Sequence, residues 1–282
     1  MIRTAAGFHA SAEAHRQEGE TVGFVPTMGA LHEGHASLIR RARAEHRYAC
    51  VSIFVNPAQF GPDEDFDTYP RDERTDLDLC SRLGADAVWA PEVEEFYPSG
   101  LDLVEPDPGP IGDVLEGAAR PGHFPGVLKA VHRLLETCGP CTAYFGEKDA
   151  QQLFLVRRMV ASYRMPVDVV GCPTVREPDG LAVSSRNRYL STDERAQAGC
   201  LFLALAEAAE RARAGERDAA VLVAVMAREI GATALASLEY AVVVDEATFV
   251  PARTVEGPSR ALVAARFPSA RLIDNLPLPT GG

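Results

Sequence analysis

The chain has 282 residues, 46% of them hydrophobic, which suits a globular protein with one large core or two unequal ones. No run of about eighteen apolar residues is present to cross a bilayer. Residues 1 to 20 carry histidines and glutamates where a signal peptide needs an apolar segment, so we expect a cytoplasmic protein. The formal net charge of −12 argues against general nucleic-acid binding, and any anionic ligand must be held by local positive groups.

Short apolar runs alternate with segments of helical character through the first 170 residues. The runs predict strands at Thr21–Val25, Ala49–Val55, Ala87–Ala90, Ala143–Phe145 and Val167–Val170. The other segments predict helices at Ala36–Arg47, Asp72–Leu83, Val127–Thr137 and Ala150–Tyr163. Strands that alternate with helices form a parallel sheet covered on both faces, which is an α/β, Rossmann-like fold. Ligands of such sheets bind beyond the carboxyl ends of the strands.

The pattern changes beyond Pro173. Two Ala-rich helical stretches follow, and then two β-rich runs at Leu238–Val244 and Arg260–Ala265. Helices followed by strands indicate an α+β unit. We therefore predict two domains, a Rossmann-like domain at 1–174 and a smaller α+β domain at 175–282.

The segment from Val25 to His35 contains the strongest motif. A Pro/Gly turn there joins the first predicted strand to the first predicted helix. Unpaired backbone N–H groups and the helix dipole, equivalent to about half a positive charge, attract phosphate at such a junction. His32 and His35 are three residues apart and so lie on one face of the first turn. A zinc site would need a third ligand, and the sequence offers no compelling one.

The residues Pro-Thr-Met-Gly-Ala-Leu-His-Glu-Gly-His at 26–35 resemble the HxGH-type phosphate-binding element of the nucleotidyltransferase superfamily. The form here is similar to that of the pantothenate synthetase family. The resemblance extends, with blocks in order, over roughly residues 21 to 190. It implies ATP-dependent condensation of (R)-pantoate with β-alanine through a pantoyl-adenylate, giving pantothenate, AMP and pyrophosphate. It also implies magnesium with the ATP, a homodimer, and a second domain that closes over the nucleotide.

Two further blocks resemble nucleotide-contacting elements of that family. Gly146-Glu147-Lys148-Asp149 follows the fourth predicted strand, where Lys148 can follow phosphates as they separate. Ser184-Ser185-Arg186 offers hydroxyls, backbone donors and a guanidinium for phosphate oxygens. Taken without context, the first block is also typical of a solvated charged turn and the second of a helix cap or polar linker.

Neutral amides follow the second and fourth predicted strands. Asn56, Gln59 and Gln152 carry both donors and acceptors, which suits a hydroxy acid, although single glutamines are usually surface residues. By resemblance, Gln59 and Gln152 bind pantoate, with Gln59 near β-alanine as well. Arg120 and His123 lie in a loop before a helix and are secondary candidates for the same site.

The resemblance transfers site residues only onto matching positions. The expected catalytic residues are His35, as acid or charge stabiliser at the α-phosphate, with His32 and Lys148. The expected ATP-binding residues are Pro26, Thr27, Met28, Gly29, Ala30, Leu31, His32, Glu33, Gly34, His35, Gly146, Glu147, Lys148, Asp149, Val175, Val183, Ser184, Ser185 and Arg186. The expected pantoate- and β-alanine-binding residues are Gln59, Gln152, Asn56 and Met28. No base for β-alanine is evident among them.

Two other features allow more than one interpretation. The acidic stretch from Asp63 to Asp78 is typical of a solvated surface, although Asp76 can also support magnesium or the incoming amine. Cys138-Gly139-Pro140-Cys141 has the letters of a thioredoxin redox motif, but it closes a helix and precedes a strand, so the sequence favours a helix stop. The competing functions are another nucleotidyltransferase, a non-catalytic nucleotide sensor, and a thiol oxidoreductase that uses Cys138 and Cys141.

Overall fold

The computed structural model describes residues 1–62, 64 and 66–279. Asp63 and Asp65, which belong to the predicted acidic stretch, lie outside the described residues. So do residues 280–282, at the end of the predicted second domain.

The described residues form helices and strands in the following order. The α-helices are α1 (Ala5–Gln17), α2 (Glu33–Glu45), α3 (Glu73–Arg82), α4 (Val93–Phe96), α5 (Glu116–Ala119), α6 (His123–Cys138), α7 (Ala150–Ser162), α8 (Thr192–Gln197), α9 (Cys200–Arg213) and α10 (Ala219–Gly231). The strands are β1 (Val22–Thr27), β2 (Tyr48–Ile53), β3 (Ala87–Trp89), β4 (Cys141–Gly146), β5 (Val167–Cys172), β6 (Ser237–Asp245), β7 (Ser259–Arg266) and β8 (Arg271–Leu278). Short 3-10 helices lie at Pro57–Gln59, Gly109–Asp113, Glu147–Asp149 and Ser185–Tyr189.

Strands β1 to β5 form a parallel sheet in the order β3-β2-β1-β4-β5 in the described part of the chain. The register of β1 on β2 pairs Val22 with Tyr48 and Thr27 with Ile53, so the two strands end at the same level. Successive residues of β1 enter different cores: Phe24 packs on the face covered by α1 and α6, and Val25 on the face covered by α2. Helices thus cover both faces, which confirms the predicted α/β, Rossmann-like architecture.

All five strands predicted for the first 174 residues are present, with ends displaced by at most two residues. Helix α1 and strand β8 are among the elements that were not predicted. Helix α1 buries only Phe8 and Ala12, and its other residues are alanines, a glycine and polar residues, so its apolar periodicity is weak. Strand β8 contains the buried polar pair Asp274 and Asn275, which interrupts the apolar alternation that marks a strand.

The Cys-Gly-Pro-Cys segment ends a helix, as predicted. Helix α6 stops at Cys138, and Gly139 follows with φ 78°, a conformation that glycine adopts without a steric cost. Strand β4 then begins at Cys141. Both cysteines have free thiols, and Cys138 is buried.

The described residues separate into two compact units. The first contains Met1–Glu147 and Gln151–Pro173, and the second contains Lys148–Ala150 and the described residues from Thr174 onward. In the second unit, β6, β7 and β8 form an antiparallel sheet in that order. Helices α9 and α10 bury Leu205, Leu222 and Met226 in the same core as Val263 of β7. Across the described residues, none of the helices has both the length and the apolar character needed to span a membrane.

A buried carboxylate holds the start of α8 in the second unit. Glu194 accepts hydrogen bonds from the backbone N–H of Ser191 at 2.7 Å and of Ser269 at 2.7 Å, and from the Ser269 hydroxyl at 2.6 Å. Ser191 caps α8 in return by accepting from the Glu194 N–H. The Ser269 hydroxyl and the Ser191 N–H lower the pKa of Glu194 from its ordinary 4.5 to about 2.

Replacement of Glu194 tests this cap through its pH dependence. Because the folded state lowers the pKa of the carboxyl, its contribution to stability is complete above the ordinary value of 4.5 and is lost as the pH falls towards 2. We expect Glu194→Gln to lower the Tm at pH 7, and the difference from the parent chain to shrink as the pH is lowered through this range. Thermal unfolding followed by circular dichroism measures both quantities. Asp193→Asn, at an exposed position in the same turn, is the control, and an equal effect of the two changes would contradict the assignment.

Candidate functional site

The loop between β1 and α2 has an unusual backbone. Gly29 and Ala30 have positive φ values of 81° and 49°, and for Ala30 this conformation carries a steric cost. Asp76 of α3 holds the turn: its two carboxylate oxygens accept the N–H groups of Ala30 and Leu31, each at 2.8 Å. The Asp76 side chain is buried, with 3% of the residue exposed. A charged acceptor with two backbone donors therefore stabilises a strained loop.

The expectation that the N–H groups of this loop are unpaired is wrong for five of them. Besides Ala30 and Leu31, Gly29 N–H donates to the Thr27 hydroxyl at 3.2 Å. The N–H groups of His32 and Gly34 donate to imidazole nitrogens. The physical reason is that an N–H shielded wholly or partly from water needs an acceptor in the protein, and polar side chains supply it here. The sequence does not show this, because Asp76 is 45 residues away from Leu31.

The two histidines of the motif cap α2. His32 is the N-cap and its Nδ1 accepts from Gly34 N–H at 3.2 Å, while His35 Nδ1 accepts from His32 N–H at 3.4 Å. Their ring centroids are 4.1 Å apart, so the predicted placement on one face is confirmed. A backbone N–H can only donate, so each Nδ1 must accept and each neutral ring carries its proton on Nε2. The helix cap therefore makes both imidazoles Nε2–H donors.

The remaining residues of this motif lie around the cap. Pro26 and Thr27 end β1, and the Thr27 hydroxyl donates to Ser52 O of the neighbouring strand at 2.6 Å. Glu33 opens α2 on the exposed side, where Arg40 pairs with it and lowers the pKa of its carboxyl. The negative charge of Glu33 also suits the positive end of the helix dipole.

Asn56 and Gln59 lie together after β2 and reach the first motif. The Asn56 amide donates to Gln59 Oε1 at 3.0 Å, and Gln59 Nε2 donates to the sulfur of Met28. Asn56 itself is 2% exposed, and its oxygen accepts from Ala58 N–H at 3.1 Å and from the Tyr97 hydroxyl at 2.8 Å. The structure thus brings Met28, Asn56 and Gln59 together with fixed amide orientations.

Helix α6 supports the Asn56–Gln59 turn by close packing. Asn56 Nδ2 donates to Gly126 O at 3.0 Å, and a Cβ placed on Gly126 would be 1.9 Å from Ala58 O. Only glycine permits this approach of the helix to the turn. The secondary candidates also reach the turn, since His123 Nδ1 lies 2.9 Å and Arg120 Nη2 3.5 Å from Gln59 O.

The two glutamines at the start of α7 differ in their surroundings. Gln151 is buried, and its amide bonds to Ile111 O at 2.7 Å, Val114 O at 2.9 Å and Glu116 N–H at 3.1 Å. These bonds hold the segment before α5. Gln152, the predicted pantoate ligand, is half-buried on the same helix.

The fourth-strand block continues from β4 into the second unit. Gly146 is the last residue of β4, and Glu147 begins the short 3-10 helix. The Lys148 ammonium lies 3.5 Å from the Asp149 carboxylate, and Lys148 O accepts from the Asn275 amide at 2.8 Å. Asn275 of β8 is buried and so fixes the backbone that carries Lys148.

The Ser-Ser-Arg block follows a small hairpin of the second unit. Val183 N–H donates to Val175 O at 2.9 Å, which pairs the two predicted ATP-binding valines through their backbones. Ser184 then caps the 3-10 helix that contains Ser185 and Arg186, since its hydroxyl accepts from Arg186 N–H at 3.3 Å. The Ser184 side chain therefore already serves as a cap, which agrees with one of the two interpretations left open by the sequence.

An ion pair anchors that hairpin to β8. Arg176 donates to the two oxygens of Asp274 at 2.6 and 3.0 Å and to Gly180 O at 2.9 Å. Burial raises the pKa of Asp274, and the guanidinium of Arg176 opposes this effect. Asn275, the next residue, binds Lys148 O, so one short segment of β8 contacts both Lys148 and the hairpin that precedes Ser184.

Several supporting residues were missed by sequence reasoning or given another role. Gly126 and Tyr97 were missed, and Asp76 was proposed only as a support for magnesium or the amine. Gly126 had a signal, because it sits inside a helix where glycine is unfavourable unless something packs against it. Tyr97 had none.

Comparison with known proteins identifies the family. The family model for pantoate–β-alanine ligase matches residues 1–277. A pantothenate synthetase of Salinispora arenicola (strain CNS-205) is 53% identical over 256 residues, which is 91% of this chain and 90% of that protein. The chain also spans 49% of the length of two bifunctional pantoate ligase/cytidylate kinases, at 51% identity.

Solved structures agree. A pantothenate synthetase from Thermus thermophilus has a TM-score of 0.91 and 46% identity, with 98% of each chain covered. A pantoate–β-alanine ligase from Francisella tularensis, complexed with β-γ ATP and β-alanine, has a TM-score of 0.77 and 33% identity over 98% of this chain and 97% of that one. The capped helix after β1 and the amides after β2 thus occur in a chain that belongs to the pantoate–β-alanine ligase family.

Proposed function

We propose that this chain joins (R)-pantoate to β-alanine with ATP, giving pantothenate, AMP and pyrophosphate through a pantoyl-adenylate. Family membership supports the reaction, and the Francisella tularensis relative holds a form of ATP and β-alanine. The single observation in this structure that carries the proposal is the pair of imidazoles that cap α2, directly after β1 of a Rossmann-like sheet. This is the edge at which such sheets bind ligands.

The chemistry requires activation of an acid. A carboxylate is a poor acyl donor because its oxygen is a poor leaving group, so pantoate first attacks the α-phosphorus of ATP. Pyrophosphate leaves, and β-alanine then displaces AMP from the adenylate. The protein must hold the two reactants in line and stabilise the charge that grows on phosphorus. His35 is the proposed hydrogen-bond donor at the α-phosphate, and His32 and Lys148 are the other proposed catalytic residues.

The capping geometry supports this role for the imidazoles. Since Nδ1 of each ring accepts from the backbone, Nε2–H is the donor that each ring presents to a phosphate oxygen. The N–H groups of Ala30 and Leu31 are taken by Asp76, so phosphate binding relies on side-chain donors and on the dipole of α2. We propose the other ATP contacts at Gly146–Asp149, Val175, Val183 and Ser184–Arg186, as the resemblance implies.

Magnesium is proposed to enter with ATP as part of the substrate. Asp76 is the candidate magnesium ligand, and each of its two carboxylate oxygens already accepts a loop N–H. That arrangement fits a loop support better than a direct metal ligand. When bound with ATP, magnesium would neutralise phosphate charge.

The amides are proposed to bind the organic substrates. Gln59 and Gln152 would receive the hydroxyl and carboxylate groups of pantoate, with Asn56 and Met28 as neighbours. The bond from Asn56 to Gln59 Oε1 supports this role, because it orients the amide before a ligand arrives. A homodimer, a cytoplasmic location, and a domain boundary at 174 with closure over the nucleotide stay predictions.

The reaction itself can be tested by omission. Purified protein with ATP, magnesium, D-pantoate and β-alanine should form pantothenate, and removal of any substrate should abolish it. ATP–pyrophosphate exchange should need pantoate but not β-alanine. Exchange with another acid in place of pantoate would favour a different nucleotidyltransferase, and no pyrophosphate release at all would favour a nucleotide sensor. Full activity of a Cys138→Ser/Cys141→Ser double variant would exclude a mechanism that uses these thiols.

His35→Asn should lose adenylate formation while it keeps the fold. The Asn side chain can place an acceptor near the position of Nδ1 and so retain the cap, but it lacks the Nε2–H donor. We expect pantoate-dependent ATP–pyrophosphate exchange to fall by about two to four orders of magnitude, with the Tm near that of the parent chain. His9→Asn, at an exposed position of α1, is the control. Near-normal exchange in His35→Asn would remove His35 from the mechanism.

Gln59→Ala and Gln152→Ala should weaken pantoate use. Loss of one hydrogen bond to the substrate is expected to raise the KM for pantoate by roughly tenfold, with the KM for ATP unchanged. Gln151→Ala is the matched contrast, because its amide serves the segment before α5 and its loss should lower the Tm instead. Unchanged pantoate kinetics in both Gln59→Ala and Gln152→Ala would refute the placement.

Asp76→Asn distinguishes a loop support from a metal ligand. The amide nitrogen of Asn would face one of the two loop N–H groups that Asp76 accepts. One charge-assisted hydrogen bond is then lost, and the amide NH2 and the backbone N–H, which are both donors, oppose each other. We expect a loss of unfolding free energy of about 2 kcal/mol together with reduced exchange activity. Asp78→Asn, exposed on the same helix, is the control. Unchanged stability with a raised requirement for magnesium would indicate direct metal binding.

A further inference from the structure

The carbonyl of Gln59 is held by a chain of three side chains. His123 Nδ1 lies 2.9 Å from Gln59 O, and Arg120 Nη1 lies 2.9 Å from His123 Nε2. Glu64 completes the chain, since its two oxygens accept from Arg120 Nε at 2.7 Å and Nη2 at 2.6 Å. His123 is the first residue of α6 and is 8% exposed.

The donors in this chain determine which nitrogen of His123 carries the proton. A guanidinium can only donate, so His123 Nε2 accepts from Arg120. The proton of the neutral ring is then on Nδ1, which donates to Gln59 O. Both nitrogens are thus engaged, and the ring is oriented at each end.

The surroundings keep this ring neutral. Burial, together with the positive charge of Arg120, lowers the pKa of His123 to about 4. Among the described residues, the charged groups that act on its pKa are Arg120, Glu64 and Glu116, and the carboxylates of the last two partly oppose the shift. A protonated ring would direct a second N–H at the guanidinium.

We propose that His123 is a positioning residue, which fixes the backbone of Gln59 and through it the amide that receives the organic acid. The inference rests on the proposed function, because that function assigns pantoate to Gln59 as its ligand. His123 acts through Gln59 and not on the reacting atoms. Arg120 in turn fixes His123 and adds a longer contact of its own, 3.5 Å, to Gln59 O, and Glu64 fixes Arg120.

Two substitutions separate the two nitrogens. The amide of Asn can donate from near the position of Nδ1, so His123→Asn retains the bond to Gln59 O. The amide of Gln reaches the position of Nε2, so His123→Gln retains a contact with Arg120 and loses the one with Gln59. We expect the KM for pantoate to stay within about threefold of the parent value in His123→Asn and to rise by about tenfold in His123→Gln, with the KM for ATP unchanged in both.

A double variant shows whether the effect passes through Gln59. In a Gln59→Ala background, His123→Gln should add little to the KM for pantoate, because the side chain that it positions is already gone. Independent, multiplicative effects would overturn the proposal. So would equal effects of His123→Asn and His123→Gln. A loss of kcat by orders of magnitude in both would make His123 a catalytic base instead.

The pH dependence of stability gives a readout that does not need activity. Because the folded state lowers the pKa of His123, its neutral ring stabilises the fold fully above its ordinary value of 6.5, and this contribution is lost as the pH falls towards 4. The Tm of the parent chain should therefore fall more steeply than that of His123→Asn between pH 6.5 and 4. Parallel curves would contradict the engaged, neutral ring.

The outcomes also separate the two proposals. A parent chain that forms no pantothenate from ATP, pantoate and β-alanine would overturn the proposed function. An active parent chain whose His123→Gln variant has normal pantoate kinetics would overturn only the positioning role.

Discussion

The carboxylate of Asp76 is the interaction on which the first motif depends. It accepts two backbone N–H groups from a loop whose backbone passes through two successive positive φ values. Without that acceptor, the buried N–H of Ala30 would be unpaired, at a cost of about 1–3 kcal/mol, and the partly buried N–H of Leu31 would lose its partner as well. The loop conformation sets where α2 begins, and the start of α2 sets where the two imidazoles lie. A residue in α3 thus determines the position of side chains in α2.

A second constraint acts through the close approach of α6 to the turn after β2. Gly126 allows the helix backbone to touch Ala58, and Asn56 uses its amide to bond both Gly126 O and Gln59. The glutamine is therefore held through its side chain by Asn56 and through its carbonyl by His123. Rigidity of this kind lowers the entropic cost of ordering the side chain when a ligand binds. It also holds the Gln59 amide in one orientation, as the proposed contact with pantoate requires.

The sequence was sufficient to predict the parallel sheet and the position of the motifs along its strands, and the reason is physical. Strands buried on both faces must be continuous apolar runs, so β1, β2 and β4 were visible, and the motifs follow them directly in the chain. Strand β8 was not visible because Asp274 and Asn275 are buried polar residues whose partners, Arg176 and Lys148, are distant in sequence. The bond from Leu31 to Asp76 was hidden for the same reason: pattern reasoning detects local periodicity, and a hydrogen bond across 45 residues leaves no periodic trace.

Three histidines of the first unit illustrate how hydrogen-bond partners select one tautomer of the imidazole ring. In His32 and His35 the neighbouring donors are backbone N–H groups at Nδ1, so the proton lies on Nε2. In His123 the neighbouring donor is a guanidinium at Nε2, so the proton lies on Nδ1. The same side chain thus carries its proton on Nε2 in one place and on Nδ1, as a donor to a carbonyl, in the other. In the neutral form, Nδ1 of each motif imidazole is the acceptor that caps α2. The proposed donation from a neutral Nε2–H to a phosphate oxygen would leave this helix cap intact, so the proposed chemistry is compatible with the local folding of α2.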